Sequence, residues 1–185
     1  MSDSRGIVHS PMKTNVCDPF TLLQSTHYTT ADAIGGALDP APPPALCQLI
    51  QIGESARLVT LADQDAMVDA FGSAERRRAT IDRALNHLQC SATELYILVT
   101  LFAAESRPVK VQSLARETLA NSGALRFALE RLEARAAISR EVRAAGEPPV
   151  RLTSSGRDLA LILMYRVLRS VVSRRHDGAE MAETM

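Results

Sequence analysis

A chain of 185 residues with 46% hydrophobic residues is long enough for one domain with a substantial core, and its 4% of aromatic residues, with no Trp, leaves aliphatic residues to build that core. The formal net charge of zero excludes a uniformly basic or acidic chain, but residues 107–175 hold fourteen Lys and Arg against six Asp and Glu. This local net charge of +8 is typical of a surface that binds a polyanion.

The sequence lacks the usual signatures of secretion, membrane insertion, metal binding and catalysis. Residues 1–15 are polar, and the longest apolar run, residues 159–165, is shorter than the roughly 20 residues needed to cross a bilayer, so we expect a cytoplasmic protein with no membrane partner. Cys17, Cys47 and Cys90 are far apart and odd in number, which predicts reduced thiols, with a redox switch as the less favoured alternative, and neither a metal nor another cofactor. No Gly-rich phosphate loop, H-E-x-x-H or G-x-S-x-G occurs, so we expect no enzyme activity.

The first half of the chain divides into two predicted regions. Residues 1–44 show little apolar periodicity and end in a Pro-rich linker, which predicts an irregular extension. Residues 45–90 carry apolar residues at helical spacing and predict a helical region for dimerisation or another accessory role. Within it, Gly53 is a candidate helix break, residues 57–61 are also compatible with a short strand, and Ser73 is a candidate N-cap.

Residues 91–157 have the helix order of a winged helix-turn-helix. Ser91 and Glu94 have the spacing of a capping box, which predicts a helix over 92–105. Two shorter helices are predicted over 112–120 and 122–135. The second of these has Asn121 as its N-cap and an inner face of leucines, namely Leu125, Leu129 and Leu132.

A hairpin follows these helices. Residues 138–143 and 150–152 predict two strands, and the Gly- and Pro-containing stretch 144–149 predicts the tip between them. Thr153 is the expected cap of a last helix, and Gly156 lies in its first turn, where we expect a close approach to the hairpin. The predicted fold is therefore mainly α, with a winged helix-turn-helix and a two-stranded wing.

The last helix is predicted over 154–175, and residues 158–185 are assigned to a C-terminal dimerisation helix with a polar tail. Its apolar stripe needs a partner surface, which is either a second protomer or the helix's own domain. The stripe comprises Leu159, Ile162, Leu163, Val167 and Val171.

Residues 91–175 resemble the MarR family of bacterial transcription regulators. The most specific part is the motif Leu152-Thr153-x-x-Gly156-Arg157-x-Leu159, supported by Leu114, Ala115, Leu125, Leu132, Glu133, Ile138 and Arg140. The resemblance implies a homodimer with N- and C-terminal dimerisation helices that binds a palindromic operator in double-stranded DNA. It also implies a response to small, often phenolic or anionic effectors, bound near His87, Cys90 and Tyr96, although each of these three residues is better explained as a packed residue.

The chain departs from the family pattern at several positions. Phe127 stands where the recognition helix commonly has Arg, and Arg126 comes just before it. Ala136 replaces a common Gly, the turn at Leu119 and Ala120 lacks its usual Gly, and the wing is short and lacks the usual Asp-Arg pair.

Eight residues are candidate DNA contacts. Small residues at the start of the second helix allow the backbone to approach DNA, and Arg126 can read a guanine edge, contact a phosphate or pair with Glu130. Arginines beside the wing tip suit a minor groove or the phosphate backbone, with a merely solvated hairpin as the alternative. The candidates are Ser122, Gly123, Ala124, Arg126, Phe127, Arg131, Arg143 and Arg151. The departures also leave open a winged-helix module that binds protein in a regulatory complex.

Overall fold

The computed structural model describes residues 40–105, 107–140 and 148–182, with side chains up to residue 173. Over these residues the elements are mainly helical with one two-stranded antiparallel sheet, so the predicted fold class is confirmed. Residues 1–39 of the predicted extension, and residues 141–147 with most of the predicted wing tip, lie outside the described residues.

Within the described residues 40–90, three α-helices form. They are α1 (Pro44–Ser55), α2 (Gln64–Phe71) and α3 (Ala74–Leu85), with 3-10 turns at Leu61–Asp63 and Asn86–Leu88. Residues 57–60 form no strand, so that alternative is wrong. Ser73 caps α3 as predicted, because its side chain accepts a hydrogen bond from the amide of Arg76 at 3.2 Å.

Gly53 does not break α1. It is buried inside the helix, where an added Cβ would lie 2.5 Å from Cδ1 of Leu168 in the last helix. The glycine therefore allows α1 and the last helix to pack closely, and the sequence prediction of a break was wrong because it considered the backbone alone.

Helix α4 (Ala92–Ala103) lies in the centre of the core. The capping box is confirmed: the Ser91 side chain accepts from the Glu94 amide at 3.2 Å, and the Glu94 carboxylate accepts from the Ser91 amide at 2.8 Å. Every residue of α4 from Glu94 to Leu101 is buried, so this helix contacts neighbours on all sides.

The predicted winged helix-turn-helix follows α4. It comprises α5 (Val111–Thr118), α6 (Ser122–Ala134), β1 (Ile138–Arg140), β2 (Val150–Leu152) and the start of α7 (Ser154–Ala182). The register pairs Ile138 with Leu152 and Arg140 with Val150. An isolated antiparallel β-bridge, which the sequence did not suggest, joins Val109 to Val150 of the wing.

Gly156 joins the wing to α7. Thr153 caps the helix by accepting from the Gly156 amide at 3.0 Å, and its hydroxyl donates to the carbonyl of Ala137 at 3.0 Å. A Cβ at Gly156 would lie 1.8 Å from that same carbonyl oxygen, which no side chain tolerates. The predicted close approach is thus present, and it explains a glycine at this position.

Helix α7 returns across the amino-terminal helices and α4. Leu163, Val167 and Val171 of its predicted stripe are buried in one continuous core, so packing on its own domain accounts for them. Ile162 of the stripe is exposed instead, as are its neighbours Leu161 and Tyr165. Among the described residues, no helix is both long enough and apolar enough to cross a membrane.

Candidate nucleic-acid interface

The turn between α5 and α6 sets the position of the second helix. Leu119 has a φ of 52°, a left-handed conformation that glycine adopts more easily and that costs a branched or bulky residue about 1–2 kcal/mol. The Thr118 hydroxyl stabilises the turn by accepting from the Ala120 amide at 3.3 Å while donating to the Leu114 carbonyl at 2.9 Å. The chain therefore forms a tight turn between α5 and α6 without a glycine.

Asn121 caps α6 as predicted. Its side-chain oxygen accepts from the amide of Ala124 at 2.8 Å. The small residues Ser122 and Gly123 that follow are exposed, and Ala124 is half-buried. The amino-terminal turn of α6 is thus fixed in place with little side-chain bulk on its outer surface, the arrangement that lets a backbone approach a phosphate.

Helix α6 has one buried face and one exposed face. Leu125, Leu129 and Leu132 are buried as predicted, together with Ala128. The outer face of α6 presents Ser122, Gly123, Arg126, Phe127, Glu130 and Glu133. Four of the eight predicted contact residues are therefore together on one solvent-facing surface.

Arg126 is paired with Glu130 on that outer face. Their Nε and Oε1 atoms are 3.7 Å apart, and both side chains are well exposed. An exposed i,i+4 pair contributes only about 0.3–0.5 kcal/mol, so Arg126 can leave Glu130 for another anion at little cost. The ion-pair interpretation and the DNA-contact interpretation are thus compatible.

Arg131 has a different environment from Arg126. Its Nε lies 3.4 Å from Oε1 of Glu94, whose side chain is about 1% exposed, and its Nη2 donates to the Gln89 carbonyl. The guanidinium also lies 5.8 Å from the centre of the Phe127 ring. Arg131 therefore connects α6 to the amino terminus of α4, a structural role that the sequence prediction missed because the partners are distant in the chain.

Arg135 strengthens the same connection. It donates to the Gln89 carbonyl at 2.9 Å and contacts the Cys90 sulfur at 2.9 Å. Burial raises the pKa of the Cys90 thiol, while the hydrogen bond from Arg135 acts in the opposite direction. Cys90 is therefore protonated at neutral pH and poorly suited to fast thiolate chemistry.

The wing contributes fewer defined contacts. Arg140 of β1 pairs with Glu133 of α6 at 3.2 Å between Nε and Oε2, which connects the wing to α6. Arg151 of β2 lies opposite Ser139 and is half-buried. Arg143, the other predicted wing contact, lies outside the described residues.

Further cations lie near the start of the unit. Arg107 and Lys110 precede α5, Arg116 lies on it, and all three are exposed. In helix-turn-helix proteins the first helix crosses the DNA backbone, so these positions suit phosphate contacts. They were not among the predicted contact residues, although the local excess of charge already included them.

The residues near the expected effector site have separate environments. His87 is exposed, Cys90 is half-buried, and Tyr96 is buried in the core. Burial raises the pKa of Tyr96 to about 12. Among the described residues, no group of three His, Cys, Asp or Glu side chains could hold a metal ion.

No protein-family model and no curated protein matches the sequence. Among solved structures, the chain is similar to a MarR family protein of Mycobacterium tuberculosis in complex with p-aminosalicylic acid, with 25% identity, 58% of this chain and 87% of that chain covered, and a TM-score of 0.44. It is also similar to a MarR family transcriptional regulator from Rhodococcus sp. RHA1, with 17% identity, 68% and 93% covered, and a TM-score of 0.49.

A third similar structure is a mutant of MepR from Staphylococcus aureus bound to an oligodeoxyribonucleotide, with 18% identity, 68% of this chain and 93% of that chain covered, and a TM-score of 0.44. The solved structures similar to this chain thus include members of the family that its sequence resembles. The winged-helix fold itself is defined by the chain's own helices, strands and strand register.

Proposed function

We propose that this protein is a sequence-specific DNA-binding transcription regulator that acts as a homodimer on a palindromic operator and responds to a small-molecule effector. The observation that carries the proposal is the outer face of α6. It follows the turn of a helix-turn-helix, begins with small exposed residues and carries Arg126 and Phe127 near its amino end. That is the part of a recognition helix that contacts base edges in the major groove.

Charge supports the winged helix-turn-helix as a whole, rather than the outer face of α6 alone, which carries Arg126, Glu130 and Glu133. Residues 107–175 have a net charge of +8, and exposed cations occur both on α6 and at the start of the unit. Each DNA phosphate neutralised by a cation releases bound counterions, which makes the affinity fall with salt. If each protomer contacts about four phosphates, the dimer contacts about eight. The logarithm of the binding constant then falls with the logarithm of salt concentration at a slope of roughly −7.

The homodimer is supported by the exposed side of α7. Leu161, Ile162 and Tyr165 are 47%, 49% and 43% exposed in the single chain. Because burial of large apolar side chains is favourable, a second protomer that covers them would stabilise the assembly. A two-fold dimer presents two recognition helices to two half-sites about one helical turn apart, which is why the operator is expected to be palindromic. The effector remains part of the proposal through the family resemblance, with no ligand-contacting residue assigned.

The matched test compares two arginines with the same local geometry. Arg126 pairs with Glu130 on α6, and Arg78 pairs with Asp82 on α3, each at i,i+4, 3.7 Å and high exposure. Full-length protein is titrated against labelled duplexes that it has selected from a random pool, at several salt concentrations. Arg126→Ala should weaken binding at least fivefold, since one bidentate base contact is worth about 1–3 kcal/mol, whereas Arg78→Ala should leave it unchanged.

A second variant tests the wing. Arg151→Ala should weaken binding with little change in sequence preference if the wing contacts phosphates. If Arg126→Ala and Arg151→Ala both bind within twofold of Arg78→Ala, or if no duplex is bound at low salt, the proposal is wrong.

The alternative is a winged-helix module that binds another protein. The exposed Phe127 ring and the acidic Glu130 on the outer face of α6 favour it, because aromatic residues are enriched in protein interfaces and a carboxylate opposes phosphate binding. A flat response of duplex binding to salt, together with loss of a copurified protein in Phe127→Ala, would favour this alternative.

A further inference from the structure

Phe127 is the most exposed of the described aromatic side chains. Its side chain is 61% exposed, and it lies on the outer face of α6, one turn after Gly123 and next to Arg126. Folding alone gives no reason to place a phenyl ring there, because the inner face of α6 is already filled by Leu125, Ala128, Leu129 and Leu132. The ring is therefore available to a partner of the recognition helix.

The ring is also held in position from one side. The Arg131 guanidinium lies 5.8 Å from its centre, and Arg131 is itself paired with Glu94 at 3.4 Å. Glu94 is fully buried and accepts two hydrogen bonds from Ser91, at 2.8 Å from the amide and 2.9 Å from the hydroxyl. A buried carboxylate thus fixes an arginine, and the arginine supports one face of the exposed ring.

Such support matters for binding. A side chain already ordered before it meets its partner loses less conformational entropy when the complex forms. The ring is rigid and apolar, yet its immediate surroundings on α6 are the charged side chains of Arg126 and Glu130 rather than a larger apolar patch. Its partner should therefore offer one small apolar group within a polar surface, and the net charge of +8 over residues 107–175 favours an anionic one.

The major groove of DNA offers one such group. The C5-methyl group of thymine is the apolar feature among the hydrogen-bonding base edges, and Phe is one of the side chains that contact it. We infer that Phe127 reads the C5-methyl group of a pyrimidine, normally thymine, at one position of each operator half-site, with Arg131 as a positioning residue. This inference rests on the proposed DNA-binding function and adds the chemical group that is recognised.

A uridine scan tests the inference directly. In a duplex selected from a random pool by the full-length protein, each thymine is replaced singly by deoxyuridine, which keeps the base pair and removes only the methyl group. Loss of one buried methyl should weaken binding about fourfold at one position per half-site, and on the order of tenfold when both half-sites are changed. Phe127→Ala should bind thymine and uridine duplexes equally, while Phe127→Leu should keep part of the discrimination.

Two further duplexes identify the source of the methyl group. At the sensitive position, the pair is changed to C·G with either cytosine or 5-methylcytosine. If the methyl group is what Phe127 contacts, 5-methylcytosine should bind more tightly than cytosine in the wild-type protein and not in Phe127→Ala. Equal binding of these two duplexes by the wild-type protein would contradict the inference.

Arg131→Lys tests the positioning role. Lysine keeps a positive charge beside Glu94 but lacks the planar group that lies over the ring, so the thymine-to-uridine ratio should fall while the salt slope stays the same. An unchanged ratio would show that Arg131 does not position the ring.

The two levels of the proposal fail differently. If the protein selects no duplex, the DNA-binding function and this inference are both wrong. If it selects a duplex but no uridine substitution changes the affinity by more than about 1.5-fold, or if Phe127→Ala keeps the wild-type discrimination, the function stands and the methyl contact is wrong. Phe127→Ala with unchanged DNA binding would likewise contradict the methyl contact.

Discussion

Helices α4 and α6 are similar in length and both begin with a side-chain cap, but they use their polar residues in opposite ways. Helix α4 is buried from Glu94 to Leu101, and the side chains of Glu94 and Thr100 have partners inside the protein. Helix α6 buries one face of small and aliphatic residues and presents charged residues and Phe127 on the other. Polar groups therefore serve folding in α4, whereas those on the outer face of α6 are available to a partner.

Both roles of polar residues, stabilising the fold and remaining available to a partner, occur within α6 itself. Arg126 and Arg131 count equally in the local charge excess, but Arg126 is exposed and Arg131 reaches back to the buried Glu94 of α4. The net charge of a region therefore overstates the number of cations that are available to DNA. Four predictions test this division, from the largest expected effect on stability to the smallest.

The largest effect is expected for Arg131→Ala. The variant leaves the buried Glu94 carboxylate without its cation, and removing one partner of a buried ion pair costs about 3–5 kcal/mol. Because Arg131 is about one third exposed and Ser91 still donates to Glu94, we expect a loss of about 2–3 kcal/mol. Urea unfolding with an unchanged slope measures it.

A double-mutant cycle provides the control for this prediction. In the Arg131→Ala background, Glu94→Gln removes the uncompensated charge and should recover part of the lost stability. Additive effects of the two substitutions would mean that the two side chains do not interact, and the contrast between Arg126 and Arg131 would disappear.

Removing the cap of α4 is expected to cost more stability than removing the cap of α6. Ser91→Ala removes a donor to the buried Glu94 as well as the cap of α4, so we expect a loss of about 1.5–2 kcal/mol. Asn121→Ala removes only an exposed cap of α6, where water can replace the side chain, and should cost about 0.5–1 kcal/mol. Equal losses of stability in parallel thermal or urea unfolding experiments would show that the burial of α4 does not increase the contribution of its cap.

These caps also show what the sequence could predict. Ser73, Ser91, Asn121 and Thr153 act on residues three positions away, and such contacts depend only on local spacing. The inner face of α6 followed from its leucine spacing for the same reason. Local patterns thus sufficed for the winged helix-turn-helix and for the location of its outer face.

The contacts of Arg131 and Arg135 could not be predicted in this way. Their partners, Gln89, Cys90 and Glu94, precede them by tens of residues and come close only when α6 packs on the start of α4. The sequence therefore grouped Arg131 with the DNA contacts, an assignment that stays a prediction beside its structural role. The stripe of α7 was predicted to be its buried face, but Ile162 is exposed, because the side that faces the core is set by packing on α3 and α4.

A pH experiment distinguishes the interior of α4 from the outer face of α6. The pKa of Tyr96 is raised from 10.0 in the unfolded reference to about 12 in the folded protein. Its contribution to stability is therefore fully present below pH 10 and is lost as pH rises through 12, with a loss of about 1.3 kcal/mol by pH 11. The stability of Tyr96→Phe should fall less steeply over this interval, and identical profiles for the two proteins between pH 9 and 11 would contradict a buried phenol.

The smallest effect on stability is expected for Arg126→Ala. The exposed pair with Glu130 contributes little, so the free energy of unfolding should change by less than about 0.5 kcal/mol, as it should for Arg78→Ala on α3. If Arg126→Ala instead destabilises the protein as much as Arg131→Ala, Arg126 also serves the fold, and any loss of DNA binding in that variant could reflect unfolding. A stable Arg126→Ala protein that binds DNA weakly, beside an Arg78→Ala protein that is equally stable and binds normally, would separate recognition from folding at a single residue of α6.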